Sequence, residues 1–220
     1  MHIPENTTVP SLFFGNYFCF LSGHNAAFVA IHKNGTTFLK KLALYLKTGE
    51  IIEDVDHIHH EIGYDHTSDH LIHVSQMQAF EKENGIILKF AVWRDPVERL
   101  VSFYKHFILE QKYRYYLHFL DLYHDNSFER FIEFVEFELK KSVPEYQDEH
   151  IRRQIDHFQN TDLDYIVPIQ KLNKFLEEKG IPLIEDKANK TTAKFKIPLK
   201  KWEDKIKKLY QTDYSININY

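Results

Sequence analysis

Ala26-Ala27-Phe28-Val29-Ala30-Ile31-His32-Lys33-Asn34-Gly35-Thr36-Thr37 is the stretch that decides the fold. Six apolar residues run into a Lys, a Gly and two hydroxyls, and a helix-like pattern follows at once in Phe38-Leu39-Lys40-Lys41-Leu42-Ala43-Leu44-Tyr45-Leu46. An apolar run of this length suits a strand buried on both faces of a parallel sheet. A Gly-containing turn that opens a helix leaves backbone N–H groups pointing at one spot, and the helix dipole adds to their pull on an anion. Lys33 supplies a full charge there, and Thr36 and Thr37 supply hydroxyls. The order of residues is not that of a Walker A loop, in which the Lys follows the second Gly. Here Lys33 precedes Gly35, which weakens a nucleoside-triphosphate reading.

A second strand, Ile86-Ile87-Leu88-Lys89-Phe90-Ala91-Val92-Trp93, ends in Arg94-Asp95-Pro96. Asp95 can cap a helix that has Pro96 at its first position and runs to about residue 110. An Arg at the carboxyl end of a buried strand sits where α/β sheets place their ligands, and a guanidinium holds a phosphate bidentately. Ser102 lies two turns into the helix, on the face that starts near Asp95. Arg99 is open to a structural role, pairing with Glu98, Asp95 or a backbone carbonyl.

The remaining pattern fits the same class. Phe13–Phe20 reads as an extra strand or a hairpin with 26–31, and 36–47 as a helix stopped at Thr48-Gly49. Residues 50–72 read as irregular or as short strands. Val74–Lys82 reads as a short helix capped by Ser75, and Asn84-Gly85 as a turn. Ser127 caps a helix over 128–141, whose Phe128, Phe131, Ile132, Val135 and Leu139 form a core stripe ended by Pro144. His150–Phe158 is a short helix, Tyr165-Ile166-Val167 a third strand, Gln170–Lys179 a helix stopped by Gly180, and 199–210 a Lys-rich helix. Strands separated by helices predict an α/β fold: a P-loop-like central parallel sheet flanked by helices, with further peripheral helices. At 220 residues one domain spanning 1–220 is expected.

Composition narrows the function classes. Apolar residues make up 43% of the chain, with 18 Phe and 13 Tyr, which argues against disorder. The net charge of −4 provides no global basic field for nucleic acid. Cys19 is the only cysteine, so neither an internal disulfide nor a Cys-based zinc site is available. Six of the 14 His fall between His57 and His73; without an HExxH pattern they are read as a polar loop, and no metal is expected. The apolar run Leu12–Leu21 is too short to span a bilayer, and no leader pattern accompanies it. A soluble, cytoplasmic protein is expected.

Taken together, Lys33-x-Gly35-Thr36-Thr37 and Arg94-Asp95-Pro96-x-x-Arg99-x-x-Ser102-x-Tyr104 resemble the sulfotransferase superfamily. That resemblance implies a donor, 3′-phosphoadenosine 5′-phosphosulfate (PAPS). Its 5′-phosphosulfate would lie on Lys33, Gly35, Thr36 and Thr37, with Asn34 in the same loop, and its 3′-phosphate on Arg94 and Ser102. The branch it resembles most is that of the carbohydrate enzymes, the heparan sulfate and uronyl 2-O-sulfotransferases. Members of that branch carry a His-Val-Ser whose His is the catalytic base, matched by His73-Val74-Ser75. A late Lys-Thr-Thr closes over the cofactor and is matched by Lys190-Thr191-Thr192. The match departs from the pattern at His32, where Pro is common, and lacks the cysteines and anchor of the animal enzymes.

The expected reaction is sulfuryl transfer from PAPS to a carbohydrate hydroxyl, with Lys33 and His73 catalytic and adenosine 3′,5′-bisphosphate as product. Glu53, Asp54, His70 and His106 are rival bases. Lys194, Lys196, Lys200 and Lys201 are either a contact for an acidic polysaccharide or the solvated face of a helix. A P-loop-like nucleotide kinase and a non-catalytic nucleotide- or glycan-binding module are the alternatives.

Overall fold

A computed structural model describes residues 16–62, 68–110, 125–158, 161–185 and 197–220. The chain divides into two compact units. One comprises Leu12–Arg94, Gln154–Ala188 and Asn217–Tyr220; the other contains Asp95–Arg153 and Asn189–Ile216.

The first unit begins with β1 (Tyr17–Leu21) and β2 (Ala26–Val29), an antiparallel hairpin. Its turn uses Gly23 and Asn25 at positive φ, residue types that tolerate the left-handed region. Then come α1 (Thr36–Thr48), α2 (Val55–Glu61), β3 (Leu71–His73), α3 (Met77–Asn84) and β4 (Leu88–Trp93). The sheet order is β3-β1-β2-β4 and then β5 (Tyr165–Pro168). β2, β4 and β5 run parallel, whereas β1 opposes both β2 and β3. The sheet is therefore mixed rather than all-parallel, because the expected N-terminal strand pairs as a hairpin. Since β3 opposes β1, it points the same way as β2. The carboxyl ends of β2, β3, β4 and β5 thus leave one edge together, the edge where α/β sheets bind ligands.

All four residues of β2 are buried, as its unbroken apolar sequence requires. Phe28 and Phe90 from the sheet share a core with Leu39, Leu42 and Ala43 of α1 and Ile58 of α2. Phe175 and Leu176 of α6 (Leu172–Glu178) complete it. α2 occupies a stretch expected to be irregular or strand. Its only fully buried side chain is Ile58, too little for a readable periodicity, yet Asp54 caps it by accepting from Asp56 N and His57 N. The expected helix after β3 starts with a 3₁₀ turn, Val74–Gln76, and the residue at its N-cap position is His73, not Ser75, with the imidazole Nδ1 3.3 Å from Ser75 N. At the far edge, Asn219 accepts from Ile166 N at 2.7 Å and donates to the Asp164 carbonyl at 2.9 Å. Tyr220 packs on Phe175, so the chain's last residues cover the open edge of β5.

The second unit holds α4 (Pro96–Phe103), α5 (Phe128–Leu139) and α7 (Leu199–Leu209). Asp95 caps α4 by accepting from Val97 N and Glu98 N, and Ser127 caps α5 by accepting from Arg130 N. The helix expected to reach residue 110 continues past Phe103 as a π-helical segment, Tyr104–Leu109. α5 ends at Leu139, short of Pro144. The stripe Phe128, Phe131, Ile132, Val135 and Leu139 is buried with Leu100, Phe103 and Ile206. Arg99 is buried and donates to the carbonyls of Arg152 (2.8 Å) and Glu149 (3.5 Å), which settles it as structural. Of the helix expected over 150–158, only a 3₁₀ turn, Gln154–His157, forms. Among the described residues no helix is long and apolar enough to cross a membrane.

Candidate functional site

The β2–α1 loop is shaped by two residues in the left-handed region, Lys33 at φ 67° and Gly35 at φ 78°. Gly costs nothing there, but a Lys is strained by roughly 1–2 kcal/mol. Alternation of this kind gathers successive N–H groups into an anion-binding concavity. Asn34 N–H closes a turn onto the Ile31 carbonyl at 3.1 Å, and the Thr36 hydroxyl donates to that same carbonyl. α1 then starts without a side-chain cap and without an acidic residue in its first turn. No side chain accepts from the leading amides of α1. Three of the other helices, α2, α4 and α5, are capped by Asp54, Asp95 and Ser127. An uncapped start with positive charge beside it is chemically a site for an oxyanion.

Arg94 follows β4, which lies next to β2. Its Nη1 donates to the Lys33 carbonyl at 2.9 Å, so the two expected anion-holding cations come from one local construction. Asn34 and Gln154 complete it. Asn34 Nδ2 donates to the Val92 carbonyl at 2.7 Å and to Gln154 Oε1 at 2.6 Å. Gln154 Oε1 also accepts from Arg94 N at 3.0 Å, and Gln154 Nε2 donates to the Arg94 carbonyl at 2.9 Å. Asn34 is 1% exposed and Gln154 fully buried. Both the side-chain NH₂ and the main-chain N–H of Asn34 are thus committed within the protein, and its work is to hold the loop. Gln154 is the residue that sequence reasoning missed. Its one legible signal, a Gln among charged residues shortly before a strand, points nowhere without the fold.

His73 ends β3, where Tyr17 is its partner on β1, and its ring meets that of Tyr17 edge-on at 5.1 Å. With strands about 4.8 Å apart, His73 stands roughly 10 Å from β2 and roughly 14 Å from β4 along the same sheet edge. The order across the edge is therefore imidazole, Lys33 loop, Arg94. His73 Nδ1 is 2.7 Å from Ser75 Oγ and 3.3 Å from Ser75 N. With the hydrogen on Nδ1, the shorter contact is a bond donated to Ser75 Oγ, and Nε2 keeps its lone pair.

The rival bases are placed as follows. Glu53 forms an ion pair with the buried Lys41 at 2.7 Å. Asp54 is the cap of α2. His70 is buried, and desolvation followed by Lys47 pushes its pKa below the usual imidazole value. His106, in the second unit, lies 3.7 Å from Glu110. Ser102 is half-buried on α4, also in the second unit. Thr37 is half-buried at the second position of α1. Asn189 to Thr192, with Lys190 and Thr191, lie outside the described residues, as do Lys194 and Lys196. On α7, Lys201 pairs with Glu129 at 3.4 Å, and Lys200 is exposed.

A family model described as the Sulfotransferase family matches residues 11–180. No individual curated protein and no solved structure matches the chain.

Proposed function

Because the chain belongs to the sulfotransferase family, and so moves a sulfuryl group, we propose that its donor is PAPS and its acceptor a carbohydrate hydroxyl. The observation that carries the donor reading is the bond from Arg94 Nη1 to the Lys33 carbonyl. It sets a guanidinium beside an uncapped helix start, which suits one nucleotide with phosphate at two places. The residues fit the 5′ end: Lys33 and the amides of Gly35, Thr36, Thr37 and Phe38 are donors, and nothing acidic stands in the first turn. Arg94 fits the 3′-phosphate. The resemblance adds Ser102 there, and Lys190, Thr191 and Thr192 over the nucleotide, on sequence alone.

The donor supplies a sulfuryl group on a good leaving group. The acceptor oxygen forms a new O–S bond while the S–O bond to the 5′-phosphate breaks. Charge grows on the oxygen that leaves, and Lys33 with the loop amides stabilises it; fixed donors of this kind are often the largest catalytic contribution. His73 Nε2 takes the acceptor's proton, with Ser75 Oγ holding the other nitrogen. The carbohydrate acceptor rests on the resemblance of His73-Val74-Ser75 to the His-Val-Ser of the carbohydrate branch, with His73 at the carboxyl end of β3.

Incubation with PAPS labelled in the sulfuryl group, against a panel of uronic-acid-containing glycans without added metal, tests this. The expected result is label on the glycan. Label retained by the donor with every glycan, while small phenols or alcohols accept it, would overturn the carbohydrate reading. Release of phosphate from ATP–magnesium with no use of PAPS would overturn the donor reading.

A further inference from the structure

We infer that Gln154 is a positioning residue that locks the anion-binding loop to the strand end bearing Arg94, so that both grips on the nucleotide are set at one spacing. The inference rests on the donor reading above. A carboxamide has two acceptor lone pairs and two donor hydrogens. In Gln154 the oxygen takes Asn34 Nδ2 (2.6 Å) and Arg94 N (3.0 Å), and the nitrogen gives to the Arg94 carbonyl (2.9 Å). Arg94 is thus bound through both its main-chain groups by a single side chain. The circuit closes through Asn34 on the loop, the Val92 carbonyl on β4, and the bond from Arg94 Nη1 to the Lys33 carbonyl. Five residues from three stretches of sequence, Lys33 and Asn34, Val92 and Arg94, and Gln154, form one hydrogen-bonded ring whose centre, Asn34 and Gln154, is buried. Such a ring is stiff because each bond, once broken, leaves a buried polar group without compensation.

Stiffness here has a specific consequence. A ligand that touches only the loop needs no fixed distance to Arg94, whereas one that touches both ends does. Gln154→Met keeps the volume and removes all three bonds. Its expected effect is a 10- to 100-fold loss in affinity for adenosine 3′,5′-bisphosphate by calorimetry, with affinity for adenosine 5′-monophosphate changed less than threefold. A merely structural residue would weaken both ligands alike or neither. Gln154→Glu provides an internal check. Its protonated carboxyl can donate to the Arg94 carbonyl and accept as the amide does, whereas its carboxylate sets oxygen against oxygen. Bisphosphate affinity relative to the native protein at the same pH should therefore recover as pH falls from 8 to 5.5.

Equal losses for the two nucleotides in Gln154→Met, or no loss, would overturn the proposal. If the native protein itself holds the bisphosphate no better than the monophosphate, it is the donor reading that fails. Should the variants not fold, hydrogen exchange on the native protein decides. The Arg94 amide should exchange at least 100-fold more slowly than an open chain, and the same partial opening should release the loop. An Arg94 amide that exchanges freely would rule out the lock.

Discussion

The Arg94 guanidinium donates to the main-chain carbonyl of Lys33 at 2.9 Å, across 61 residues of sequence. The bond joins the end of β4 to the loop after β2, and Lys33 meets it in a left-handed conformation at φ 67°. A strained residue persists only where its surroundings impose it. The Arg94 bond, the turn onto Ile31 and the buried Asn34 are those surroundings.

Lys33→Gly separates strain from charge. Glycine adopts φ 67° at no steric cost, which offsets its greater freedom in the unfolded chain. The melting temperature is expected to hold or rise by a degree or two while turnover falls about 100-fold or more, as loss of a charge-stabilising donor does. A calorimetric melt and a sulfuryl-transfer rate check this; a fall in stability with activity intact would contradict it.

Arg94→Lys keeps the charge and loses the fork. An ammonium on a flexible stem has no planar pair of donors with which to serve the Lys33 carbonyl and a phosphate together. The donor kcat/KM should drop roughly 10- to 100-fold, the equivalent of about 1.5–3 kcal/mol for a charge-assisted bond. Steady-state kinetics with varied donor reads this out.

His73→Ala should lower kcat by about 10²–10⁴, the usual range for a general base, with bisphosphate affinity within twofold of native. Unchanged turnover would move the role to another group. Ser75→Ala should lower kcat less and leave the bisphosphate untouched, since it removes only the partner of Nδ1.

Gly35 is required for its backbone, not for space. A Cβ there would meet Leu172 and Ile169 side chains at 3.6 and 3.8 Å, ordinary contact, but at φ 78°. Gly35→Ala is expected to cost about 1–2 kcal/mol, and adding Leu172→Ala should not restore it. Recovery in the double variant, measured by urea unfolding, would show that crowding was the cause.

His70 makes stability depend on pH. Burial, with Lys47 acting the same way, holds its pKa below the ordinary imidazole value, while hydrogen bonding to the Phe20 backbone and the nearby Asp69 and Glu61 oppose this. Below about pH 6.5 the unfolded chain binds a proton that the folded chain resists. Stability is thus full above that value, falls as pH drops through it, and levels once the folded ring also protonates. His70→Gln should flatten urea midpoints between pH 5.5 and 7.5, and an unaltered slope would contradict the assignment.

Much of the fold was readable because its signals were local. The β2 run, Gly35, Gly49 after α1, Asp95-Pro96 and the Ser127 stripe each state their element by composition and spacing. The α2 helix was not, since its cap is plain but its buried face is a single Ile58. The direction of β1 is not legible in the sequence, because pairing sense is set by partners. At the site, residue types announced Lys33, Gly35 and Arg94. Neither the commitment of Asn34 to the interior nor the part of Gln154 could be read, for both depend on contacts of 58 to 120 residues' separation.

One titration bears most directly on the claim that the Lys33 loop and Arg94 grip two ends of a single nucleotide. Adenosine 3′,5′-bisphosphate and adenosine 5′-monophosphate are each titrated calorimetrically into the native protein and into Arg94→Ala. The expected result is a preference of at least about tenfold for the bisphosphate that disappears in the variant, in line with the loss of a charge-assisted bidentate contact. Equal affinity of the native protein for the two nucleotides, or a preference that survives without Arg94, would contradict it.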